Sequence, residues 1–191
     1  MRIISGKWKG RKLVNLENEL LNRKLRPTLD RARETVFNIL SHGHYSGSTG
    51  VRVLDLFSGT GAMGFEALSR GAKEACFIDN DPKSVSIIKK NVKLLSAERY
   101  VTIMCIDATN LDKNVMGEFD LVFLDPPYGL KLGEASLKSA IKAGWIASGA
   151  TIVWEESSDI PALENIKFLT ERSFGKTKIQ ISSFENKPSL L

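Results

Sequence analysis

Histidine and cysteine are scarce in this chain: two of each in 191 residues. Cys76 and Cys105 lie in apolar segments with no Cys or His at metal-ligand spacing, which excludes a zinc knuckle or a disulfide framework and predicts reduced core thiols. His42 and His44 are expected in the Gly/Ser-rich loop that leads to Gly50, with no partner at metal or triad spacing, so neither is a candidate ligand or base. Long apolar runs are missing too. The longest are strand-sized, far short of the roughly 20 residues of a membrane-crossing helix, and the opening, Met1 to Lys12, is basic rather than signal-like. A cytoplasmic protein without membrane contact is expected. Internal repeats and low-complexity tracts are also absent.

Proline is sparse, six residues, yet two of them are consecutive. Pro126 and Pro127 follow the apolar run Leu121 to Leu124 and Asp125, and Tyr128 and Gly129 come after. Two prolines cannot continue a parallel ladder, so the chain must leave the sheet here with stiff backbone and unpaired carbonyls. Asp125 and the carbonyls offer acceptors and Tyr128 a flat ring, a combination suited to holding an exocyclic amine on a planar base. A strand-ending turn without function has the same composition.

The formal net charge is +5 and unevenly spread. Residues 1–33 hold ten Lys or Arg against three acids, while the remainder carries 17 cations and 19 anions. Segregated positive charge beside a near-neutral body is the footprint of a polyanion partner, because each neutralised phosphate releases condensed counterions. A merely solvated basic terminus is the alternative.

Along the chain, Ile3, Ile4 and Leu13, Val14 flank Gly6 to Gly10 and predict a short two-stranded ribbon with cations at its tip, Trp8 packing on the body. Ala32, Val36, Phe37, Ile39 and Leu40 mark one side of a helix with Thr28 as its N-cap. Strand and helix then alternate. Strands are expected at Val51–Phe57, Ala75–Asp79, Val101–Ile106, Phe119–Leu124 and Thr151–Glu155, with a closing pair at Phe168–Arg172 and Thr177–Phe184. Helices are expected at Gly61–Arg70, Pro82–Leu95 (capped by Asp81) and Leu132–Ala143. The pattern predicts an α/β fold, an open, mostly parallel sheet covered on both faces. Two parts are expected, a basic ribbon and helix over 1–45 and a ligand-binding domain over 46–191.

The first strand-to-helix turn reads G-x-G-x-x-G through Gly59, Gly61 and Gly64, with Asp79 twenty residues beyond Gly59, which makes a dinucleotide dehydrogenase a competitor. Asp55 opposes that reading. A carboxylate at the tip of the first strand repels a pyrophosphate but attracts the cationic amino-acid end of S-adenosylmethionine. Asp79 is then placed for ribose hydroxyls and Asp107, after strand three, for an adenine amine.

The sequence of Asp55, Gly59 and Gly61, Asp79, Asp107 and the Asp125–Tyr128 segment resembles class I S-adenosylmethionine-dependent methyltransferases acting on exocyclic amines. The opening goes further. Arg2, Ile3, Ile4, Ser5, Gly6, Lys7 with Gly10 to Leu13, then Arg26, Pro27, Thr28, Asp30, Arg31, Arg33, Glu34, Thr35, Phe37 and Asn38 resemble the RsmD family of 16S ribosomal RNA guanine-N2 methyltransferases. The likeness continues through Leu68 to Ala72 and reaches Gly175 to Thr177. Asp79 stands where Glu is expected, and Ser58 and Thr60 replace other small residues.

The resemblance implies a Rossmann-like sheet of seven strands in the order 3-2-1-4-5-7-6. It implies S-adenosylmethionine held by Asp55, Phe57, Ser58, Gly59, Gly61, Asp79, Asn80, Asp107 and Ala108, and no metal. Catalysis falls to Asp125, Pro126, Pro127 and Tyr128. RNA contact falls to Arg2, Lys7, Lys9, Arg11, Lys12, Arg26, Thr28, Arg31 and Arg33. The implied partner is 16S ribosomal RNA, free or within a small-subunit assembly particle, bound by a monomer. An adenine-N6 methyltransferase acting on DNA or RNA, and a non-catalytic RNA-binding protein of the same fold, stay open beside it.

Overall fold

The computed structural model describes residues 1–15, 26–42 and 48–186. Its elements are α1 (Arg26–His42), β1 (Arg52–Leu56), α2 (Ala62–Ser69), β2 (Glu74–Ile78), α3 (Pro82–Leu95), β3 (Val101–Met104), β4 (Phe119–Leu124), α4 (Leu132–Lys142), β5 (Ile146–Glu156), β6 (Ile166–Phe174) and β7 (Thr177–Phe184). One seven-stranded sheet runs β3-β2-β1-β4-β5-β7-β6. The first four neighbouring pairs are parallel, whereas β7 is antiparallel to both β5 and β6.

Successive strand residues point to opposite faces, and the central strands are apolar at both, as a doubly covered sheet requires. Val53, Phe77, Phe123 and Val153 share one core with Phe37 of α1, Phe65 of α2 and Ile88 of α3. Leu54, Ile78, Val122 and Trp154 share the other with Leu137 and Ala140 of α4 and with Trp145. At the start of α3 the Asp81 carboxylate accepts from Lys83 N–H at 3.0 Å, and Pro82 occupies a position where its missing donor is harmless.

The amino-terminal segment forms the expected ribbon in short form. An antiparallel bridge joins Arg2 and Lys12, and across it Ile3 N–H donates to the Arg11 carbonyl at 2.9 Å, Gly10 N–H to the Ile3 carbonyl at 2.9 Å and Leu13 N–H to the Met1 carbonyl at 3.1 Å. Other donors of the segment go to α2. Ile4 and Ser5 N–H donate to Glu66 at 2.7 and 3.0 Å, Lys7 N–H to the Ser69 carbonyl at 2.7 Å, and Trp8 N–H to Ser69 Oγ at 2.9 Å. Contact is tight enough that a Cβ on Gly6 (φ 79°) would sit 1.8 Å from the Ser69 carbonyl oxygen. Further along, Val14 N–H donates to Asn91 Oδ1 at 2.7 Å, and Asn91 Nδ2 returns a bond to the Val14 carbonyl. Ile3, Trp8 and Leu13 are buried in the first core, the packing role expected of Trp8.

Three expectations are corrected. α1 begins at Arg26, which puts Thr28 in its first turn rather than at the cap. His42 ends that helix with its ring 2.8 Å from the Asn38 carbonyl, while His44 and the linker 43–47 lie outside the described residues. Cys76 is buried but Cys105 is exposed, because β3 stops at Met104 and forms the sheet edge.

Candidate active site

The carboxyl ends of β1, β2, β4 and β5 open on one side, where β1 and β4 lie side by side while their connections run to opposite faces. Open α/β sheets place ligands at such a switch point. Leaving β1, Phe57 takes φ 58°, a left-handed value costing of order 1–3 kcal/mol in a residue with a side chain. The turn that follows is pinned to the neighbouring strand. Ser58 Oγ donates towards the Asp55 carbonyl at 2.5 Å and the Ile78 carbonyl at 3.0 Å, and Gly61 N–H closes onto the Ser58 carbonyl at 2.7 Å. Gly59 (φ 54°) donates its N–H to Asp79 Oδ2 at 2.7 Å, and a Cβ there would point into open space. The turn is thus built with room above it.

Asp79 uses its other oxygen to accept Asp81 N–H at 2.9 Å. Each carboxylate oxygen has two acceptor sites, so these bonds leave capacity for a ligand hydroxyl. Asp107 accepts both Thr109 N–H and Thr109 Oγ on one oxygen, each at 2.8 Å, and stays exposed beside buried Ala108. Asn80 is exposed at the end of β2.

Asp55 is only 4% exposed. Gly64 N–H donates to its Oδ2 at 3.0 Å, and Oδ1 has no hydrogen-bond partner among the described residues. Burial holds this carboxyl's pKa well above the usual value; the Gly64 bond opposes that, and Asp125 and Asp79 add to it. A buried acid with one donor is costly to ionise unless a cation arrives.

The cavity it faces, about 110 Å³, is also lined by Met1, Arg33, Met63, Asp125 and Glu155. Asp125 is open to solvent at the mouth and Pro126 is buried behind it. Surrounding protein, followed by Glu155 and Glu156, raises the Asp125 pKa, and burial likewise raises that of Glu155 against a lowering bond from Tyr128. Tyr128 is 45% exposed, its hydroxyl donating to Glu155 Oε1 at 2.9 Å with Thr177 Oγ1 at 3.4 Å. Its hydroxyl is thus held while nearly half of the residue stays exposed.

The cations are divided. Arg2, Lys7, Lys9, Arg11, Lys12 and Arg31 are exposed, with Lys7 Nζ 5.4 and 5.5 Å from the Trp8 and Tyr100 ring centroids. Arg33 is instead buried, donating to the Arg2 carbonyl at 2.6 Å and to Asp30 at 2.9 Å. The side chains of Arg26 and Thr28 lie outside the described residues. Two acids were not singled out by sequence. Glu155 is the last residue but one of β5, level with Asp125 just past β4, and the Val153-Trp154-Glu155-Glu156 run carries the signal of acids at a strand end. Glu66 gives none, being one Glu in an ordinary helix.

The family described as Conserved hypothetical protein 95 matches residues 1–183. The chain belongs to this family, the RsmD family. Within it, Ribosomal RNA small subunit methyltransferase D of Haemophilus influenzae is 38% identical over 182 residues, spanning 92% of this chain and 89% of the relative. The protein of the same name from Escherichia coli K12 is 36% identical over 155 residues, spanning 81% and 74%. A solved Escherichia coli structure, yhhF, named as a candidate methyltransferase, superposes with TM-score 0.83 at 32% identity, covering 98% of this chain and 99% of the other. The RsmD-family chain therefore has the Rossmann-like class I methyltransferase fold, with the strand order expected.

Proposed function

We propose that this protein transfers a methyl group from S-adenosylmethionine to the exocyclic N2 of a guanine in small-subunit ribosomal RNA. One observation supports the reading: in an RsmD-family chain, the undersatisfied Asp55 and Asp125 line one cavity, at the carboxyl ends of the two adjacent strands that lead into the Gly59 turn and the Pro126–Tyr128 segment. The residues suit the cofactor. Asp55 is a buried carboxyl whose ionised form a cation would stabilise, matching an amino-acid ammonium, and Asp79 and Asp107 keep acceptor capacity for ribose and adenine. Phe57, Ser58, Gly59, Gly61, Asn80 and Ala108 would form the surrounding wall. When bound, S-adenosylmethionine supplies an electrophilic methyl group.

The protein's own task is to make a poor nucleophile attack. The guanine N2 lone pair is delocalised into the ring. Accepting the two N2 hydrogens at the Asp125 carboxylate and the Pro126 carbonyl favours a pyramidal nitrogen with a localised lone pair, and Pro127 keeps that backbone stiff. The nitrogen would gain its N–C bond as the methyl's bond to sulfur breaks, with S-adenosylhomocysteine as the leaving product, and would then lose a proton to Asp125 or to water. Tyr128 offers a stacking face, worth about 1–3 kcal/mol per base. No step requires a metal, and among the described residues no cluster of three or more potential ligands exists. The exposed cations Arg2, Lys7, Lys9, Arg11, Lys12 and Arg31 would neutralise phosphates, with Arg26 and Thr28 nearby on α1.

Undermodified 16S ribosomal RNA, free or in small subunits, is the substrate to test, with nucleoside mass spectrometry as readout. N2-methylguanosine is expected; N6-methyladenosine or no product would overturn the proposal. Calorimetric titration should show binding of S-adenosylmethionine and not of NAD.

A further inference from the structure

Asp125 and Pro126 offer acceptors to an exocyclic amine but nothing that separates guanine from adenine. The bases differ in the atom beside that amine. Guanine presents N1–H, a donor, next to its 2-amino group, whereas adenine presents bare N1, an acceptor, next to its 6-amino group. Reading guanine therefore takes one more acceptor adjacent to the amine. β4 and β5 are parallel with Leu124 opposite Trp154, so Asp125 and Glu155 follow paired residues on neighbouring strands, which lie about 4.8 Å apart. Both acids line the same cavity. Glu155 Oε1 already accepts from the Tyr128 hydroxyl, and Oε2 has no hydrogen-bond partner among the described residues.

We propose, resting on the guanine-N2 reading above, that Glu155 is the specificity-determining residue of this site, its free oxygen accepting N1–H of the guanine whose amine meets Asp125 and Pro126. The Tyr128 hydroxyl donates to Glu155 and so favours its acceptor form. Adenine would set the N1 lone pair against that carboxylate, leaving both unpaired in a confined site, and such mismatches are rejected far more strongly than a missing apolar contact. The same bond makes Glu155 a positioning residue for the Tyr128 ring, an effect that changes rate without changing which base is preferred.

The test uses target RNA carrying either guanosine or 2-aminopurine riboside at the methylated position. The analogue keeps the amine and lacks N1–H. Wild-type protein is expected to favour guanosine in kcat/KM by at least about 10²-fold. Glu155→Ala should cut the guanosine value and bring the ratio within about tenfold, with calorimetric S-adenosylmethionine binding confirming a folded site. A wild-type ratio near one, or an undiminished ratio in the variant, overturns the proposal. If Glu155→Ala does not fold, the wild-type ratio alone decides. Failure of the underlying reading shows separately, as absence of N2-methylguanosine from wild-type reactions on natural RNA.

Discussion

Two sets of acids, one at the seam between the amino-terminal segment and α2 and one at the strand-end cleft, are treated oppositely by the fold. Glu66 at the seam is fully buried and saturated: Ile4 and Ser5 N–H and Arg70 Nε donate to it at 2.7, 3.0 and 2.8 Å, and Arg33 Nε lies 3.8 Å away. Asp55 in the cleft has one donor, and Asp125 stands beside another carboxyl. A satisfied buried carboxylate tethers structure, whereas an undersatisfied one stores unfavourable energy that a cationic or donor ligand relieves. The seam is therefore read as architecture and the cleft as chemistry. The segment tethered at Glu66 carries the exposed cations Arg2, Lys7, Lys9, Arg11 and Lys12, so the tether also presents the proposed RNA surface.

This contrast breaks most visibly at Glu66. Glu66→Ala leaves two backbone donors and Arg70 Nε without their acceptor and takes the counter-charge from beside buried Arg33, and should cost about 3–5 kcal/mol in chemical denaturation, the usual penalty for removing one side of a buried charged cluster. A loss below about 1 kcal/mol would mean that the segment is not tethered there. Next, neutralising Lys7, Lys9, Arg11 and Lys12 together should flatten the salt dependence of RNA binding by about 3 in log–log slope, if each meets one phosphate. Melting should barely change because all four are exposed. An unaltered slope would make this block a solvated surface. The smallest effect lies in the cleft. Asp125 has its pKa raised by folding, so the folded state holds a proton that the unfolded chain releases near pH 4, and stability falls as pH rises from there. Asp125→Asn removes that penalty, and should raise the melting temperature of cofactor-free protein at pH 8 by about 2–4 °C, the shift of roughly 1 kcal/mol at this size. The gain should vanish near pH 4; an equal gain at both pH values would remove the titration from the explanation.

Local pattern and distant competition explain how much of this was legible in sequence. The central strands were readable because burial on both faces leaves runs such as Leu121–Leu124 with no polar break, and Asp81-Pro82 announces α3 by local capping alone. Strand order was not in the pattern; it came with the RsmD resemblance. The short ribbon was readable from its apolar pairs around Gly6 and Gly10, but its tether was not, because Glu66 and Ser69 lie more than 60 residues away. Cys105 sits in an apolar run, but the edge position of β3 exposes it. At the site, Asp125 stood out through its prolines. Glu155 did not, because only the β4–β5 register brings it beside Asp125.

The division between tether and chemistry is tested most directly by Asp125→Ala, assayed for cofactor affinity by calorimetry and for methyl transfer to 16S ribosomal RNA in single turnovers. Affinity for S-adenosylmethionine close to wild type with methyl transfer reduced by about 10²–10³-fold is the predicted result, the loss typical of removing one acceptor or donor aimed at a developing charge. Unchanged turnover would contradict it and return Asp125-Pro126-Pro127-Tyr128 to a strand-ending turn.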